Sequence, residues 1–255
     1  MTPPLLLFHG WNGSSDNLSA WLPALQPHFE VLVPDLPGCA GIAPLRTRHT
    51  ALAYAKWAVD LLDTRGLDRV AVGGLCSGSA IALALAEIAP ERVTALLLHT
   101  PFIRPGLIRP LIRAQLAILV SPAGALWGPV RRSTTLSMLH RRLFAEAAQV
   151  DADRLARDQA DLVRADSRAG RELAGDLATA DRTRTIYGWK GPLGVLLADH
   201  DAFIDAPRTA SALTEAAPQS LIERFAGGHG WTPAYRQHQH AALSRIAPQL
   251  RAAIR

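Results

Sequence analysis

Short apolar runs bounded by turn residues recur along the chain at Leu5 to His9, Glu30 to Pro34, Arg69 to Gly74, Val93 to His99, Gly194 to Ala198 and Ser220 to Phe225. Their length and turn-bounded setting suit the buried strands of a parallel sheet. Between most of them the apolar positions fall at helical spacing, over Asn17 to Leu25, His49 to Thr64, Ser79 to Ala89, Arg208 to Ala216 and Pro233 to Ala253. Strand and helix in alternation predict an α/β fold, a doubly wound and mostly parallel sheet of about six strands with helices on both faces. One long stretch breaks the alternation. Residues 103–190 read as Arg-rich, Ala/Leu-rich helices without a clear strand, punctuated by Pro105, Pro110, Pro122 and Pro129. The expected organisation is therefore a core of 1–102 and 191–255, with 103–190 as a helical cap over one end of the sheet.

Composition narrows this picture. With 255 residues and 49% hydrophobic content the chain is long enough for one large core with an insertion. Met1 leads through two prolines into Leu5 to Phe8 with no basic region or small-residue cleavage site, so no secretory signal is read and a cytoplasmic location is the default expectation. Apolar stretches such as Ile81 to Ala86 and Leu116 to Val120 fall far short of the roughly 20 residues needed to span a bilayer. Two cysteines, Cys39 and Cys76, make neither a disulfide framework nor a zinc-ligand spacing, and no metal or cofactor is expected. The net charge of +5 is uneven: residues 103–190 hold fifteen basic and nine acidic side chains, and 103–145 hold seven arginines and no acid. Such a surface attracts anionic partners without naming one.

The chemistry concentrates where the Val70 to Gly73 run ends in Gly74-Leu75-Cys76-Ser77-Gly78 and a helix-like segment follows at once. A side chain presented on a sharp strand-to-helix turn brings the residues two before and two after it together, so both must be small. That requirement fixes the register. Gly74 and Gly78 flank Cys76, whereas Ser77 would be flanked by Leu75 and Ser79, and Ser79 by Ser77 and Ile81. Cys76 is the candidate nucleophile, the alternative being a buried inert thiol. After the late run Gly194 to Ala198 comes Asp199-His200-Asp201-Ala202-Phe203-Ile204, a loop at the strand end where open α/β sheets keep their sites, and both aspartates are candidates for the acid. Asp205 before Pro207 reads as a helix cap. Among nine histidines, His229 stands in Gly227-Gly228-His229-Gly230-Trp231 directly after the last run, in a loop able to present an imidazole. His99 ends the run after the elbow helix and is expected to line the pocket, while His28, His49, His200, His238 and His240 read as surface or loop residues. Cys39 reads as a small pocket-wall or loop residue, with a regulatory disulfide to Cys76 as the lesser alternative.

The order nucleophile, acid, histidine resembles that of the capped α/β-hydrolases. The opening Leu7-Phe8-His9-Gly10-Trp11, the Asp35-Leu36-Pro37-Gly38 turn and the Pro90-Glu91-Arg92-Val93 connector are similar to the group that contains the pimeloyl-carrier-protein methyl ester esterases. The resemblance spans about residues 4 to 102 and 192 to 254. It implies the α/β-hydrolase fold, Asp201 as the acid three residues beyond Ala198 with Asp199 as fallback, and an oxyanion site formed by the amides of Trp11 and Ser77. It implies a cap over the pocket for the middle segment. Two departures stand out: the family usually carries serine in the elbow, with cysteine known in dienelactone hydrolases and polyhydroxyalkanoate synthases, and it normally opens with a strand pair for which only four residues precede Leu5.

A thiol paired with imidazole becomes a thiolate nucleophile, and exchange of one thioester for another is nearly isoenergetic. The first expectation is thus acyl transfer or hydrolysis of a thioester or activated ester through an acyl-cysteine, by a Cys76, His229 and Asp201 triad. A carboxylesterase or lactonase of the dienelactone type is the alternative, and a non-catalytic binding protein is the alternative from another class. The expected partner is a small acyl substrate, carried on coenzyme A or an acyl carrier protein and docked by Arg131, Arg132, Arg141 and Arg142, since guanidinium groups grip phosphates through paired hydrogen bonds. A merely solvated face, or a membrane-surface contact by Leu107 to Val120 among the arginines, are the competing readings of that segment. Nucleic acid is not expected.

Overall fold

The computed structural model describes residues 2–133, 135–136, 152–229 and 233–254. Six strands, β1 (Pro4–Phe8), β2 (Glu30–Leu32), β3 (Val70–Leu75), β4 (Val93–His99), β5 (Leu193–Ala198) and β6 (Leu221–Phe225), form one sheet in the order β2-β1-β3-β4-β5-β6. Every adjacent pair is parallel. The register aligns the carboxyl ends, with Phe8 opposite Gly74, Leu75 opposite His99 and Ala198 opposite Phe225. Loops leaving β1, β3, β4, β5 and β6 therefore open onto one edge, where any site must assemble. The run read as a strand over Glu30 to Pro34 pairs only as far as Leu32: it is the sheet edge, half-exposed, and Pro34 cannot donate to a ladder.

Helices cover both faces. On one lie α1 (Leu22–Leu25) and the C-terminal α10 (Pro233–Ala253), which close a core with Leu5, Leu7, Leu97, Leu196 and Ile246. On the other lie α2 (Ala51–Thr64), α3 (Ser77–Ile88) and α9 (Ala206–Ala216). Helix α3 is buried from Ser77 through Ala86 because it is sandwiched between the sheet and α2, and its sequence is apolar on all sides as such a position requires. Side chains such as Ile81, Leu83 and Leu85 there contribute about 1.5–3 kcal/mol each by burial. Helix starts follow local chemistry: Thr50 accepts from the Ala53 amide at 3.1 Å to cap α2, and Asp205 caps α9 as its sequence position suggested, accepting from Arg208.

Between β4 and β5, the described residues form α4 (Pro110–Val120), α5 (Trp127–Arg132), α6 (Ala152–Arg164), α7 (Ser167–Thr179) and α8 (Thr183–Gly188) and no strand longer than a single bridge. Carboxylates on α7 tie this segment to the start of α2: Glu172 accepts from the His49 amide at 2.8 Å and Asp176 from the Ala51 amide at 3.1 Å. At the segment's entry, Ile108 bridges antiparallel to Ile204 and the Arg109 amide donates to Phe203 O at 2.9 Å, so the chain leaving β4 is stitched to the loop leaving β5. Among the described residues no helix is long and apolar enough to cross a membrane.

Candidate active site

Cys76 sits between β3 and α3 with φ 56° and ψ −118°, a backbone conformation rarely tolerated by a side-chain-bearing residue. The flanking glycines permit it. A Cβ on Gly74 would lie 2.2 Å from the Gly78 carbonyl carbon, and one on Gly78 would lie 2.1 Å from Phe8 O. The turn is held from three sides: the Cys76 amide donates to His99 O at 2.9 Å, while the Ser79 hydroxyl and amide both donate to Cys76 O, at 2.5 and 3.0 Å. The sulfur thus stands at the amino end of α3, whose first amides have no intrahelical acceptor and favour negative charge nearby.

The β1 turn abuts this elbow, since a Cβ on Gly10 would meet Cys76 Cβ at 3.6 Å. His9 anchors the turn from beneath. Its Nε2 accepts from the Leu36 amide at 3.0 Å, which leaves Nδ1 to donate to Gly10 O at 2.9 Å, and complete burial lowers its pKa and keeps it neutral. From above, the Trp11 indole donates to Gly170 O at 2.8 Å, the Ser14 hydroxyl to Asp161 at 2.5 Å and the Asn17 amide group to Asp158 at 3.1 Å. The turn carrying Trp11 is therefore fixed between sheet and inserted helices, with Gly10 against Cys76 and Ser77 opening the first turn of α3.

Loops from β5 and β6 bring Asp201 and His229 together. His229 Nδ1 lies 2.9 Å from Asp201 Oδ2, and the His229 ring and Cys76 sulfur share a hydrogen bond. Asp201 is buried and fully satisfied: Oδ1 accepts from the Phe203 and Ile204 amides at 2.7 and 3.0 Å, and Oδ2 also accepts from the Thr100 hydroxyl at 3.0 Å. Burial alone would raise its pKa, but the His229 charge and these donors outweigh it and hold the carboxyl below its ordinary value. Burial likewise opposes the charge on His229, yet the Asp201 carboxylate and Cys76 push its pKa up to about 10. Phe203 stacks on the imidazole with ring centroids 3.9 Å apart. Asp199, the fallback acid, instead pairs with Arg224 at 2.6 Å on the surface. Arg109, one of the seven arginines of the acid-free stretch, donates through Nε to Asp201 O at 2.7 Å and steadies the loop after β5.

Other expected residues lie elsewhere. His99 does not line an open pocket; it is completely buried among Trp21, Phe225 and Tyr235, and burial lowers its pKa to about 3. Arg131 is also a correction. Its side chain is buried and its Nη1 donates to Leu162 O, at 2.6 Å, and to Ala165 O, so it caps the carboxyl end of α6 rather than facing a ligand. Arg132 is exposed, and Arg141 and Arg142 fall outside the described residues. Cys39 is a free, buried thiol; desolvation and Asp35 raise its pKa to about 12 against a hydrogen bond to the Asn12 backbone, which suits a packing residue.

Known proteins agree with this geometry at the level of fold. Over 94 residues the chain is 33% identical to a pimeloyl-[acyl-carrier protein] methyl ester esterase of Legionella pneumophila, covering 37% of this chain and 36% of that protein. It is 33% identical over 95 residues to a poly(3-hydroxyalkanoate) depolymerase of Ectopseudomonas oleovorans, covering 37% and 34%. The matches thus span about a third of these curated relatives. An enol-lactonase from Burkholderia xenovorans superposes with a TM-score of 0.75 at 18% identity, over 98% of this chain and 91% of that one. A bromoperoxidase from Bacillus anthracis does so with a TM-score of 0.80 at 14% identity, over 98% and 92%. A family model described as alpha/beta hydrolase fold matches residues 3–230, and with the parallel six-stranded sheet and the tight strand-to-helix turn at Cys76 this means that the chain belongs to the α/β-hydrolase-fold family.

Proposed function

We propose that this protein transfers or hydrolyses the acyl group of a thioester or activated ester through an acyl-Cys76 intermediate. The observation that carries the reading is the continuous array Cys76, His229 and Asp201 at the strand ends, with the cysteine in the strained conformation of a nucleophile elbow. Asp201 raises the proton affinity of His229, which takes the Cys76 proton and so generates the attacking thiolate. The thiolate attacks the carbonyl carbon, and the resulting oxyanion takes hydrogen bonds from the Trp11 and Ser77 amides. Collapse expels the leaving thiolate or alkoxide, which takes its proton from His229, and leaves an acyl thioester on Cys76. Neutral His229 then removes a proton from the acceptor as it attacks the thioester; water gives hydrolysis, and an amine, alcohol or thiol gives transfer. Asp201 keeps the ring in one tautomer and orientation throughout.

In this reading residues 103–190 are the cap, and Arg132, Arg141 and Arg142 remain candidates to dock the phosphates of coenzyme A or an acidic acyl carrier. The Legionella relative, by its name, acts on a carrier-bound ester, which supports that substrate class. A carboxylesterase or lactonase activity is the second reading, supported by the esterase and lactonase names among the relatives and fold neighbours. Incubation with acyl-coenzyme A, acyl-carrier and p-nitrophenyl esters, followed by intact mass and peptide mapping, tests both. Acylation at Cys76 faster from thioesters is the expected result. Turnover without acylation of Cys76, or turnover retained in Cys76→Ala, refutes the mechanism.

A further inference from the structure

Behind Asp201 a chain of hydrogen bonds runs through the sheet to the C-terminal helix. Gln239 Nε2 donates to the Tyr235 hydroxyl at 3.1 Å, and that hydroxyl lies 3.0 Å from His99 Nε2. His99 Nδ1 lies 3.0 Å from Thr100 Oγ1, and Thr100 Oγ1 donates to Asp201 Oδ2 at 3.0 Å, the same oxygen that receives His229 Nδ1. The directions are forced. An ionised Asp201 only accepts, so Thr100 gives it its proton and takes one from His99 Nδ1; a neutral His99 protonated on Nδ1 then has Nε2 left to accept from the Tyr235 hydroxyl, which itself accepts from Gln239. A neutral His99 is required for this, and its deep burial supplies one.

A second observation points the same way. Thr100 has φ 49°, which is costly for a β-branched residue, and it follows directly on the strand residue whose carbonyl holds the Cys76 amide. Strain kept at such a place marks a side chain held for a purpose. In the extended conformation that β4 would otherwise continue, the hydroxyl would leave Asp201, and the buried carboxylate would lose one of its four donors.

We propose that Thr100 is a positioning residue for the catalytic acid, with His99 and Tyr235 as the relay that orients and polarises its hydroxyl. The inference rests on the triad reading above. Donors in a row pointing toward one carboxylate strengthen each other, so the relay favours ionised Asp201 and fixes in place the oxygen that Thr100 shares with His229 Nδ1. The titratable and charged groups around this carboxylate are His99, His229, Tyr235 and Arg109, which holds the Asp201 backbone carbonyl, with Cys76 acting on His229 and Tyr235 and the Arg154 charge on Tyr235, and all stay in place in the variants below except the one altered.

The test is the pH profile of Cys76 alkylation by iodoacetamide, followed by peptide mapping to separate Cys76 from buried Cys39, together with kcat and KM on the best thioester. Thr100→Val keeps the shape and removes the donor. The acid limb of the profile is expected to move up by roughly 1–2 pH units, because losing a hydrogen bond to the charged form makes Asp201 easier to protonate. Thr100→Ser restores the wild-type limb, and Tyr235→Phe moves it the same way by less. In turnover, kcat falls while KM holds. A Thr100→Val profile that coincides with wild type, or a Thr100→Ser variant as impaired as Thr100→Val, overturns the relay. Should Thr100→Val fail to fold, the Tyr235→Phe limb decides: an unmoved limb overturns the proposal. A wild-type Cys76 that alkylates no faster than a free thiol overturns the triad reading and the relay with it, whereas a fast Cys76 with unmoved variants overturns the relay alone.

Discussion

Gly78→Ala offers a direct test of how the elbow is built. The added Cβ would lie 2.1 Å from Phe8 O and 2.7 Å from His9 O, both backbone atoms at the end of β1. Neither can rotate away, so β1 and the elbow must separate by about 1 Å before the contact becomes tolerable. Overpacking of this kind costs about 1–3 kcal/mol, and in a chain of this size each kcal/mol lowers Tm by about 2–4 °C, giving a fall of roughly 2–12 °C. The functional loss should be larger in proportion. The displaced strand carries the Gly10–Trp11 turn, which abuts Cys76, and a misplacement of about 1 Å at a reacting centre costs about 100-fold in rate. Calorimetry, circular dichroism melting and steady-state kinetics on one substrate read both effects. Gly106→Ala, where an added Cβ meets nothing within 4 Å, is the matched control and should change neither. If Gly78→Ala melts and turns over like wild type, the close approach of the elbow to β1 is not what shapes the site.

Three other outcomes follow from the same geometry. His229→Ala should lower kcat/KM by about 10²–10⁴ and Asp201→Ala by less, since the thiolate keeps partial support from imidazole alone, while Asp199→Ala should leave turnover unchanged; an Asp199 effect larger than that of Asp201 would move the acid two residues back. Because the His229 pKa is raised, its contribution to stability is complete below its unfolded value of about 6.5 and is lost as pH rises through about 10, and because that of Asp201 is lowered, its contribution is complete above about 3.9 and is lost as pH falls through the native value. Urea midpoints should accordingly drop between pH 6 and pH 10 more in wild type than in His229→Ala, and parallel slopes would remove the ion pair from the account. Arg131→Ala should destabilise by about 1–3 kcal/mol through the unsatisfied Leu162 and Ala165 carbonyls, read as a lower melting temperature, whereas Arg132→Ala should leave stability alone; equal melting of the two variants would contradict the capping role.

The strands were legible because each is a short, turn-bounded run, continuously apolar in the centre of the sheet though broken by Glu223 and Arg224 in β6, and the elbow because Gly74 and Gly78 admit only one register for the residue between them. The edge strand was read too long, since a run of Val31, Leu32 and Val33 looks the same whether or not Pro34 ends the pairing. Arg131 misled for a physical reason: arginine in an acid-free stretch reads as surface, and nothing local reveals the end of a helix thirty residues on that needs its donors. His99 was placed at the pocket because it ends a strand on the right edge, but side chains alternate across a sheet, and its neighbour Thr100 is the one that reaches Asp201. The Ile108 to Ile204 bridge and the Arg109 contact to Asp201 O leave no periodic trace at all, because single long-range pairs have none.

The anchoring of the β1 turn has a bearing on how this molecule can be recombined. Trp11, Ser14 and Asn17 belong by sequence to the first loop of the core, yet each spends a donor on an acceptor in 152–170 of the insertion, and Asp16 adds an ion pair with Arg157. A chimera that exchanges only residues 103–190 for the corresponding segment of another α/β-hydrolase would strand the buried Ser14 hydroxyl without Asp161 and release the indole that fixes the residue next to Gly10. The smallest portable module is therefore discontinuous: the inserted helices travel with residues 10–17, and a segment grafted without that loop would leave the turn beside Cys76 unmoored.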